Sequence, residues 1–313
     1  MSLQNIQPAF PPEIEREIFE TCALMRPVSV PNLMLVAWRV KEWVEPLLYH
    51  TIAVEYTAAL EPYPIFTWET LLYALRTKPT TFFANAVRNL SVLGRPSSIE
   101  THQIADQASQ FVSVCTGVEN LDLYCIPFPD HIAVLGNLRP IRLAMESAYI
   151  SPNAGIPATH PFFSRVTHLQ LGSYTAAREM HDELDLGAQL ASLPCVTHIS
   201  GEDLSDAEIS RILAVCAGLQ VFVNIVMVDS DDDMDSICDD RRYVKLRCSL
   251  PLFDWQLGVY AGKDYWRRAE EIIASRAEGE LDPDTFRVYD DELQQNPPSV
   301  RHTVSSDSED EEE

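Results

Sequence analysis

The amino-acid sequence predicts an α/β fold in which a small helical module precedes a solenoid-like domain with a mostly parallel sheet. Three observations support this prediction. Apolar residues recur at helical spacing within residues 10–54, a six-residue apolar pattern recurs from residue 87 onward, and helical patterns lie between its copies. Strands that alternate with helices are typical of a parallel sheet built from stacked repeats.

The N-terminal segment predicts short amphipathic helices and one strand. A first helix is expected to begin at Pro12, where the missing N–H of proline costs nothing, and to run to about Met25. A second helix is expected from Pro31 to Glu45, and a strand at residues 51–54. A segment of about 45 residues cannot easily bury the apolar surface of such helices alone. We therefore expect it to pack on the rest of the chain or to bind another protein.

The recurrent pattern has the form apolar-x-x-apolar-x-apolar, which indicates strands with one buried face. Clear copies occupy residues 87–92, 118–123, 138–143 and 166–171, and weaker copies begin at residues 196 and 219. The spacing of their starts is typical of repeats that each contain a strand and a returning helix. Residues in the same slot are expected to stack in the core, namely Leu90, Leu121, Ile141, Leu169 and Ile199.

The C-terminal part predicts a strand at residues 243–248 and a last helix near residues 264–277, which we expect to cap the open end of the solenoid. The final segment is polar, acidic and proline-bearing, which is typical of disorder. The expected organisation is a flexible N-terminus (1–9), a helical module (10–54), a repeat domain (55–280) with an acidic loop (229–240), and a disordered acidic tail (281–313).

Composition and charge limit the classes of partner. The 313 residues carry a formal net charge of −24, which opposes non-specific binding to nucleic acid and to anionic membranes. Neither kind of partner is expected. The seven cysteines are odd in number, widely spaced and without a C-x-x-C motif, so a disulfide framework is not expected. A cytoplasmic or nuclear location fits this cysteine usage.

Catalytic and metal-binding motifs give no reason to expect an enzyme, a metal or a cofactor. The sequence contains no G-x-S-x-G, P-loop, G-x-G-x-x-G or H-E-x-x-H motif. Aspartates between Asp229 and Asp240 imitate the spacing of a calcium loop, but Met234 stands where that loop needs glycine. His168 and His198 occupy matched slots in two repeats, where we expect them to face outward near each other. No cysteine or carboxylate lies at metal spacing nearby, so we expect ordinary surface histidines.

Two serines in the acidic tail are predicted phosphorylation sites. Ser306 and Ser308 are each followed three residues later by an acidic residue, Glu309 and Glu311, which acidophilic kinases favour. Each phosphate would add about −1.5 to −2 charge to a segment that already repels itself. The alternative is a tail that only keeps the protein soluble.

Several segments resemble known proteins. Residues 10–14 (Phe-Pro-Pro-Glu-Ile), 36–43 and 47–52 resemble an F-box, whose pattern opens with Leu-Pro-x-Glu-Ile and later contains a Val-Cys-Arg-x-Trp-like stretch. The repeats, together with residues 264–271, resemble fungal F-box-like proteins with irregular leucine-rich repeats. The resemblance covers nearly all of residues 10–280.

This resemblance implies a substrate-recognition subunit of an SCF-type cullin–RING ubiquitin ligase. The helical module would bind a Skp-family adaptor and through it the cullin complex, while the repeats would bind a protein substrate. Exposed apolar side chains on a small helical bundle suit this role, since Trp is a favoured anchor of protein interfaces. The candidate adaptor-binding residues are Pro11, Pro12, Ile14, Ile18, Phe19, Val36, Trp38 and Trp43.

The alternative function is a repeat-based binding or scaffold protein without ligase association. In that case the F-box-like helices only cap the solenoid. Burial of Phe19, Trp38 and Trp43 against the repeats would favour the scaffold. An exposed apolar patch on residues 10–54 would favour the adaptor-binding module.

Overall fold

One parallel β-sheet organises the chain. The computed structural model describes residues 10–54, 58–60, 63–93, 100–124, 132–150, 155–172, 186–202, 204–227, 238–248, 251–282, 287–288 and 300–302. The strands are β1 (Thr51–Val54), β2 (Ala58–Leu60), β3 (Asn89–Leu93), β4 (Asn120–Tyr124), β5 (Arg142–Glu146), β6 (His168–Gly172), β7 (His198–Glu202), β8 (Val221–Met227), β9 (Tyr243–Cys248), β10 (Arg287–Val288) and β11 (Val300–His302).

The sheet order follows the chain. The main sheet runs β1-β3-β4-β5-β6-β7-β8-β9-β10, and every neighbouring pair in it is parallel. The short β2 pairs separately with β11 in antiparallel orientation. The predicted α/β class and parallel sheet are therefore confirmed.

Helices precede, connect and follow these strands. They are α1 (Pro12–Met25), α2 (Val30–Met34), α3 (Trp38–Leu48), α4 (Trp68–Thr77), α5 (Thr80–Ala86), α6 (Glu100–Val114), α7 (Ile132–Leu135), α8 (Leu186–Ala191), α9 (Asp206–Val215), α10 (Pro251–Ala261) and α11 (Tyr265–Glu278). Short 3-10 turns lie at Pro27–Ser29, Ser147–Tyr149 and Pro161–Phe163. Within the described part of the chain, no helix is both long and apolar enough to cross a membrane.

Successive strands begin with the same backbone hydrogen bonds. The N–H groups of Glu119 and Asn120 both donate to the carbonyl oxygen of Arg88, at 2.8 and 3.0 Å. The carbonyl oxygens that accept such a pair of donors are those of His50, Arg88, Glu119, Ile141, Thr167 and Thr197. This arrangement pairs the backbone groups before each strand and fixes the register of one repeat on the next.

Helices that lie between the strands, including α4, α5, α6, α8 and α9, pack on one face of the sheet, and we call them the helical layer. They surround a stack of apolar residues that hold equivalent positions in successive strands. The stacked residues are Leu90, Leu121, Leu143, Leu169 and Ile199. The prediction of Ile141 in this stack is wrong, because Leu143 occupies the slot. Ile141 is instead the residue before β5 whose carbonyl accepts the two donors from the next repeat, and it is half-buried.

The predicted strands also start too early. In each copy of the pattern the first apolar residue precedes the strand, as Val118 precedes β4 and Val166 precedes β6. Both side chains are buried, at 2% and 0% exposure, so they fill the core below the turn that leads into the strand. The pattern therefore identifies a turn together with a strand, and not a strand alone.

The first predicted helix and the strand predicted at residues 51–54 are confirmed as α1 and β1. The second predicted helix is wrong in its extent. Ala37 is extended, with φ −161°, and separates α2 from α3, which runs through Pro46 to Leu48. Pro46 lies in the last turn of α3, which ends two residues later, and it cannot donate the backbone hydrogen bond that another residue would make there.

The helix predicted to cap the solenoid, α11, lies elsewhere. It packs on β8 and β9, on the sheet face opposite the helical layer. Tyr265, Trp266 and Ala269 are its buried contacts, and the sheet supplies Val221, Val223, Ile225, Val244 and Leu246. The last strands of the sheet are therefore covered on both faces.

Two short strands correct the prediction of a disordered tail. β10 pairs with β9 and β11 pairs with β2, although both lie beyond residue 281. Three predictions fall outside the described residues. They are the flexible N-terminus expected at residues 1–9, most of the expected acidic loop (229–240), and the phosphorylation sites Ser306 and Ser308.

Candidate functional site

The N-terminal helices close a small core of their own. Ala23, Val30, Val40 and Val44 are buried at 0–1% exposure, and partly buried side chains surround them. Two of the predicted adaptor-binding residues, Phe19 and Trp43, belong to that surrounding layer. Their aromatic rings therefore support the module as well as contributing to its surface.

The other six predicted adaptor-binding residues are exposed. They are Pro11, Pro12, Ile14, Ile18, Val36 and Trp38. Trp38 is 72% exposed, its indole N–H donates to Glu42 at 2.8 Å, and the Lys41 ammonium lies 5.2 Å from the ring centroid. The indole is thus held in place on the outside of α3. Such preorganisation lowers the entropy cost of using it as a binding anchor.

Exposed apolar side chains are concentrated in this module. Eight of the eleven large apolar side chains exposed among the described residues lie between Phe10 and Trp38. The eight are Phe10, Ile14, Ile18, Leu24, Met25, Leu35, Val36 and Trp38. We call these eight residues the N-terminal apolar surface. A concentration of this kind marks an interaction site more often than chance exposure does.

A second candidate region is the polar face of the sheet, opposite the helical layer. Register-paired polar residues run along it from β1 to β7, namely Thr51, Asn89, Asn120, Arg142, His168 and His198. Neighbouring strands are joined by side-chain hydrogen bonds. Asn89 Nδ2 donates to Thr51 Oγ1 at 3.0 Å, and Ser91 Oγ donates to Asp122 Oδ2 at 2.6 Å.

The two histidines lie against each other on this face, as their matched slots predicted. Their rings stack with centroids 4.1 Å apart and planes 12° apart, and the ring of Trp266 meets both edge-on. The expectation that both are ordinary surface residues is wrong, since His198 is only 6% exposed. Its Nε2 lies 3.1 Å from Oε1 of Glu270, which α11 supplies.

Burial and neighbouring cations favour the neutral form of both rings. Burial, with added repulsion from His198 and Arg142, lowers the pKa of His168 to about 3. Burial also lowers the pKa of His198, although the Glu270 carboxylate opposes this shift. Neutral imidazoles expose lone pairs, which is the state needed for binding a metal ion or accepting a proton.

A cavity of about 310 Å³ lies between the polar face and the helices α10 and α11. Asn120, Arg142 and His168 line its sheet side, and Trp255 lies on its helix side. Arg142 forms an ion pair with Asp264, whose carboxylate also accepts a hydrogen bond from the Arg267 N–H in the first turn of α11. Polar groups on one wall and an aromatic ring on the other suit a small polar ligand or a side chain of a partner.

A buried ion pair joins α10 to α11 beside this cavity. Asp254 is fully buried, and its two oxygens accept hydrogen bonds from Arg268 Nη2 at 2.5 Å and from the Tyr265 N–H at 2.8 Å. Burial raises the pKa of Asp254 to about 6, although Arg268 opposes the shift. This carboxyl therefore holds its proton more tightly in the folded protein than in the unfolded chain.

A pH dependence of stability follows for Asp254. Because its folded pKa is raised, its contribution to stability is complete below about pH 4 and is lost as the pH rises through 6. The wild type should lose about 2 kcal/mol relative to Asp254→Asn between about pH 4 and pH 7. Urea unfolding of both proteins at each pH measures this difference. A constant difference would contradict the raised pKa.

Glu270 is the residue that sequence reasoning missed, because it lies 72 positions from His198. A signal for its location was present in β8. The run Val-Phe-Val-Asn-Ile-Val at residues 221–226 is apolar at five of its six positions, which is typical of a strand buried on both faces. Such a strand needs another element packed on it from the polar face of the sheet. The amphipathic helix α11 is the element that packs there.

Comparison of the chain with models of protein families, with curated proteins and with solved structures found no match in any of the three.

Proposed function

We propose that this chain is a protein-interaction subunit whose residues 10–54 bind a Skp-family adaptor of an SCF-type cullin–RING ubiquitin ligase. The observation that carries the proposal is the N-terminal apolar surface on a module whose own core is already closed. Its exposed side chains are not needed to hold the module together. A partner that covers them gains hydrophobic free energy, and the module does not have to unfold to allow this contact.

The start of α1 presents part of this surface in a fixed orientation. The Pro11 carbonyl accepts hydrogen bonds from the N–H groups of Ile14 and Glu15 at 3.1 and 3.0 Å. Ile14 and Ile18 then lie one turn apart, and each is 45% exposed. Glu15 is joined to Arg39 by two hydrogen bonds of 2.7 and 3.0 Å, which tie α1 to α3.

The F-box resemblance suggests which adaptor would bind, and the N-terminal apolar surface provides exposed side chains that such an adaptor could bury. A standard interface buries about 800 Å² on each partner, and a few anchors such as Trp carry most of its energy. Trp38 at 72% exposure is the foremost anchor of this module. In this function the polar face of the sheet remains available for a protein substrate.

The second candidate function is a scaffold in which the same helices cap the first strand of the sheet. The contact between α3 and the sheet domain favours it. Lys78 pairs with Glu45 of α3 at 2.7 Å, and the Tyr49 ring packs edge-on against Phe82 and Phe83. Capping of this kind is compatible with an exposed surface on the far side of α1, so only a binding measurement separates the two functions.

Substitution of two exposed residues should weaken adaptor binding. Ile18→Asp or Trp38→Ala is expected to cost at least about 2 kcal/mol, or roughly thirtyfold in affinity, because each removes an apolar anchor. Calorimetric titration of the full chain with a purified Skp-family adaptor measures the effect. Circular dichroism first verifies that each variant is folded.

Matched controls exist elsewhere on the chain. Val215→Asp changes an apolar residue of α9 that is 44% exposed, and Tyr73→Ala changes an aromatic residue of α4 that is 66% exposed. Both should bind the adaptor like the wild type. Absence of wild-type binding at about 50 μM adaptor, which corresponds to a binding free energy near −6 kcal/mol, would leave the scaffold as the better function.

A further inference from the structure

Three possible metal ligands converge on the polar face, independently of the N-terminal module. His168 and His198 are paired in register on β6 and β7, and α11 places Glu270 beside them. One ring nitrogen of each histidine and one carboxylate oxygen of Glu270 all lie within 4.8 Å of one another. The Glu270 side chain is 40% exposed, so solvent and ions have access to the cluster.

A threonine hydroxyl lies beside Nδ1 of each ring. Thr167 Oγ1 donates its only hydrogen to the Ile141 carbonyl at 3.2 Å, and it lies 2.8 Å from His168 Nδ1. When the hydroxyl donates to this carbonyl, it accepts from Nδ1, and the Nε2 lone pair of His168 is then free for a metal ion. Thr197 repeats the arrangement one strand later, donating to the Thr167 carbonyl at 3.4 Å and lying 2.8 Å from His198 Nδ1.

In the tautomer with the hydrogen on Nδ1, Nε2 of each ring presents a lone pair to the cluster. His198 Nε2 lies 3.1 Å from Glu270 Oε1, a distance that a shared proton or a metal ion can bridge. A proton would join only these two atoms, whereas a metal ion can bind all three residues. We propose that His168, His198 and Glu270 together bind a divalent transition-metal ion, for which Zn²⁺ is the best match.

The donor set and its surroundings fit this ion. Imidazole suits Zn²⁺, and two histidines with one glutamate occur in zinc sites that keep a fourth position for water. Histidine ligands usually donate their other ring N–H to a fixed acceptor, and the hydroxyls of Thr167 and Thr197 lie where they can accept such a hydrogen. The other Glu270 oxygen lies 3.7 Å from Arg267, which leaves Oε1 for the metal.

Small movements complete the coordination. Ligand atoms around a tetrahedral ion with bonds of about 2.1 Å lie about 3.4 Å apart. His198 Nε2 and Glu270 Oε1 are already 3.1 Å apart, and the remaining separations, which are within 4.8 Å, must shrink by up to about 1.4 Å. The exposed Glu270 side chain can make most of this movement. The two stacked rings must also tilt towards each other from their present angle of 12°.

The test is Zn²⁺ titration of the metal-free full chain, monitored by calorimetry, with Co²⁺ absorption as a second probe of the coordination. The wild type should bind one Zn²⁺ that is lost or weakened at least about tenfold in Glu270→Gln. Glu270 is a surface residue of α11, so this variant is expected to fold. Thr197→Val, which removes the hydroxyl beside His198, should weaken binding by about 10–100-fold.

Glu271→Gln is the matched control, because Glu271 is the next residue of the same helix and is 60% exposed. It should bind Zn²⁺ like the wild type, and so should a variant of the N-terminal apolar surface such as Ile18→Asp. Equal Zn²⁺ binding by the wild type and by a His168→Gln, His198→Gln and Glu270→Gln triple variant would overturn the proposal. So would equal weakening in Glu270→Gln and Glu271→Gln, or a wild type that binds no Zn²⁺.

Discussion

Replacing Leu169 by alanine should lower the free energy of unfolding by roughly 2–5 kcal/mol. Leu169 is fully buried at the centre of the stack, between Leu143 of β5 and Ile199 of β7. Its removal loses apolar burial and leaves a cavity that rigid neighbouring strands cannot fill. Leu121→Ala should have an effect of the same size, because it holds the same slot two strands earlier. Urea unfolding monitored by circular dichroism provides the measurement.

Two comparisons make this test specific. Leu35→Ala is the same chemical change at a site that is 84% exposed, and it should alter stability by less than about 0.5 kcal/mol. Leu143→Ala should cost more than Ile141→Ala, because only Leu143 belongs to the stack. A loss below about 0.5 kcal/mol for Leu169→Ala would show that the strand register is wrong.

Replacing Arg268 by alanine should destabilise the protein by roughly 3–5 kcal/mol at neutral pH. The change leaves the fully buried Asp254 carboxylate without its cation, 2.5 Å from the lost guanidinium nitrogen. The cost should be smaller at about pH 5, because the pKa of Asp254 is already raised to about 6 and a protonated carboxyl needs no cation.

Arg267→Ala is the control for this variant. Arg267 is the preceding residue of α11, is 59% exposed and pairs with the exposed Glu271 at 2.9 Å. Surface pairs of this kind contribute little, so stability should change by no more than about 1 kcal/mol. If Arg268→Ala and Arg267→Ala have equal effects, the buried pair does not hold α10 against α11.

Most of the sheet could be predicted from the sequence because the recurrent apolar pattern depends only on the spacing of residues that are close along the chain. Slots such as Leu90, Leu121 and Leu169 follow from alternation alone, and they stack in the structure. The prediction failed at Ile141 because apolar residues occupy both position 141 and position 143 of this segment. The apolar pattern therefore fits two strand registers that differ by two positions. Backbone hydrogen bonds from the neighbouring strands decide between them, and no local pattern contains that information.

The candidate sites were predictable to different degrees. The N-terminal apolar surface follows from helical periodicity, but the division between the exposed Trp38 and the half-buried Trp43 depends on where α3 starts. The stacking of His168 on His198 follows from matched slots. The approach of Glu270 does not, because it requires α11 to pack on the polar face rather than at an end. Long-range docking of a helix is set by burial of both partners, which spacing cannot reveal.

The edges of the parallel sheet offer little backbone to a neighbouring molecule, as far as the described residues show. At one edge the Phe66 N–H donates to the Ala53 carbonyl at 3.1 Å, and Phe66 forms a bridge with Val54. At the other edge β10 has only two residues. Open sheets are templates on which further strands can add, and short or covered edges stop this growth. Both ends of the described sheet therefore disfavour the addition of a strand from a second molecule.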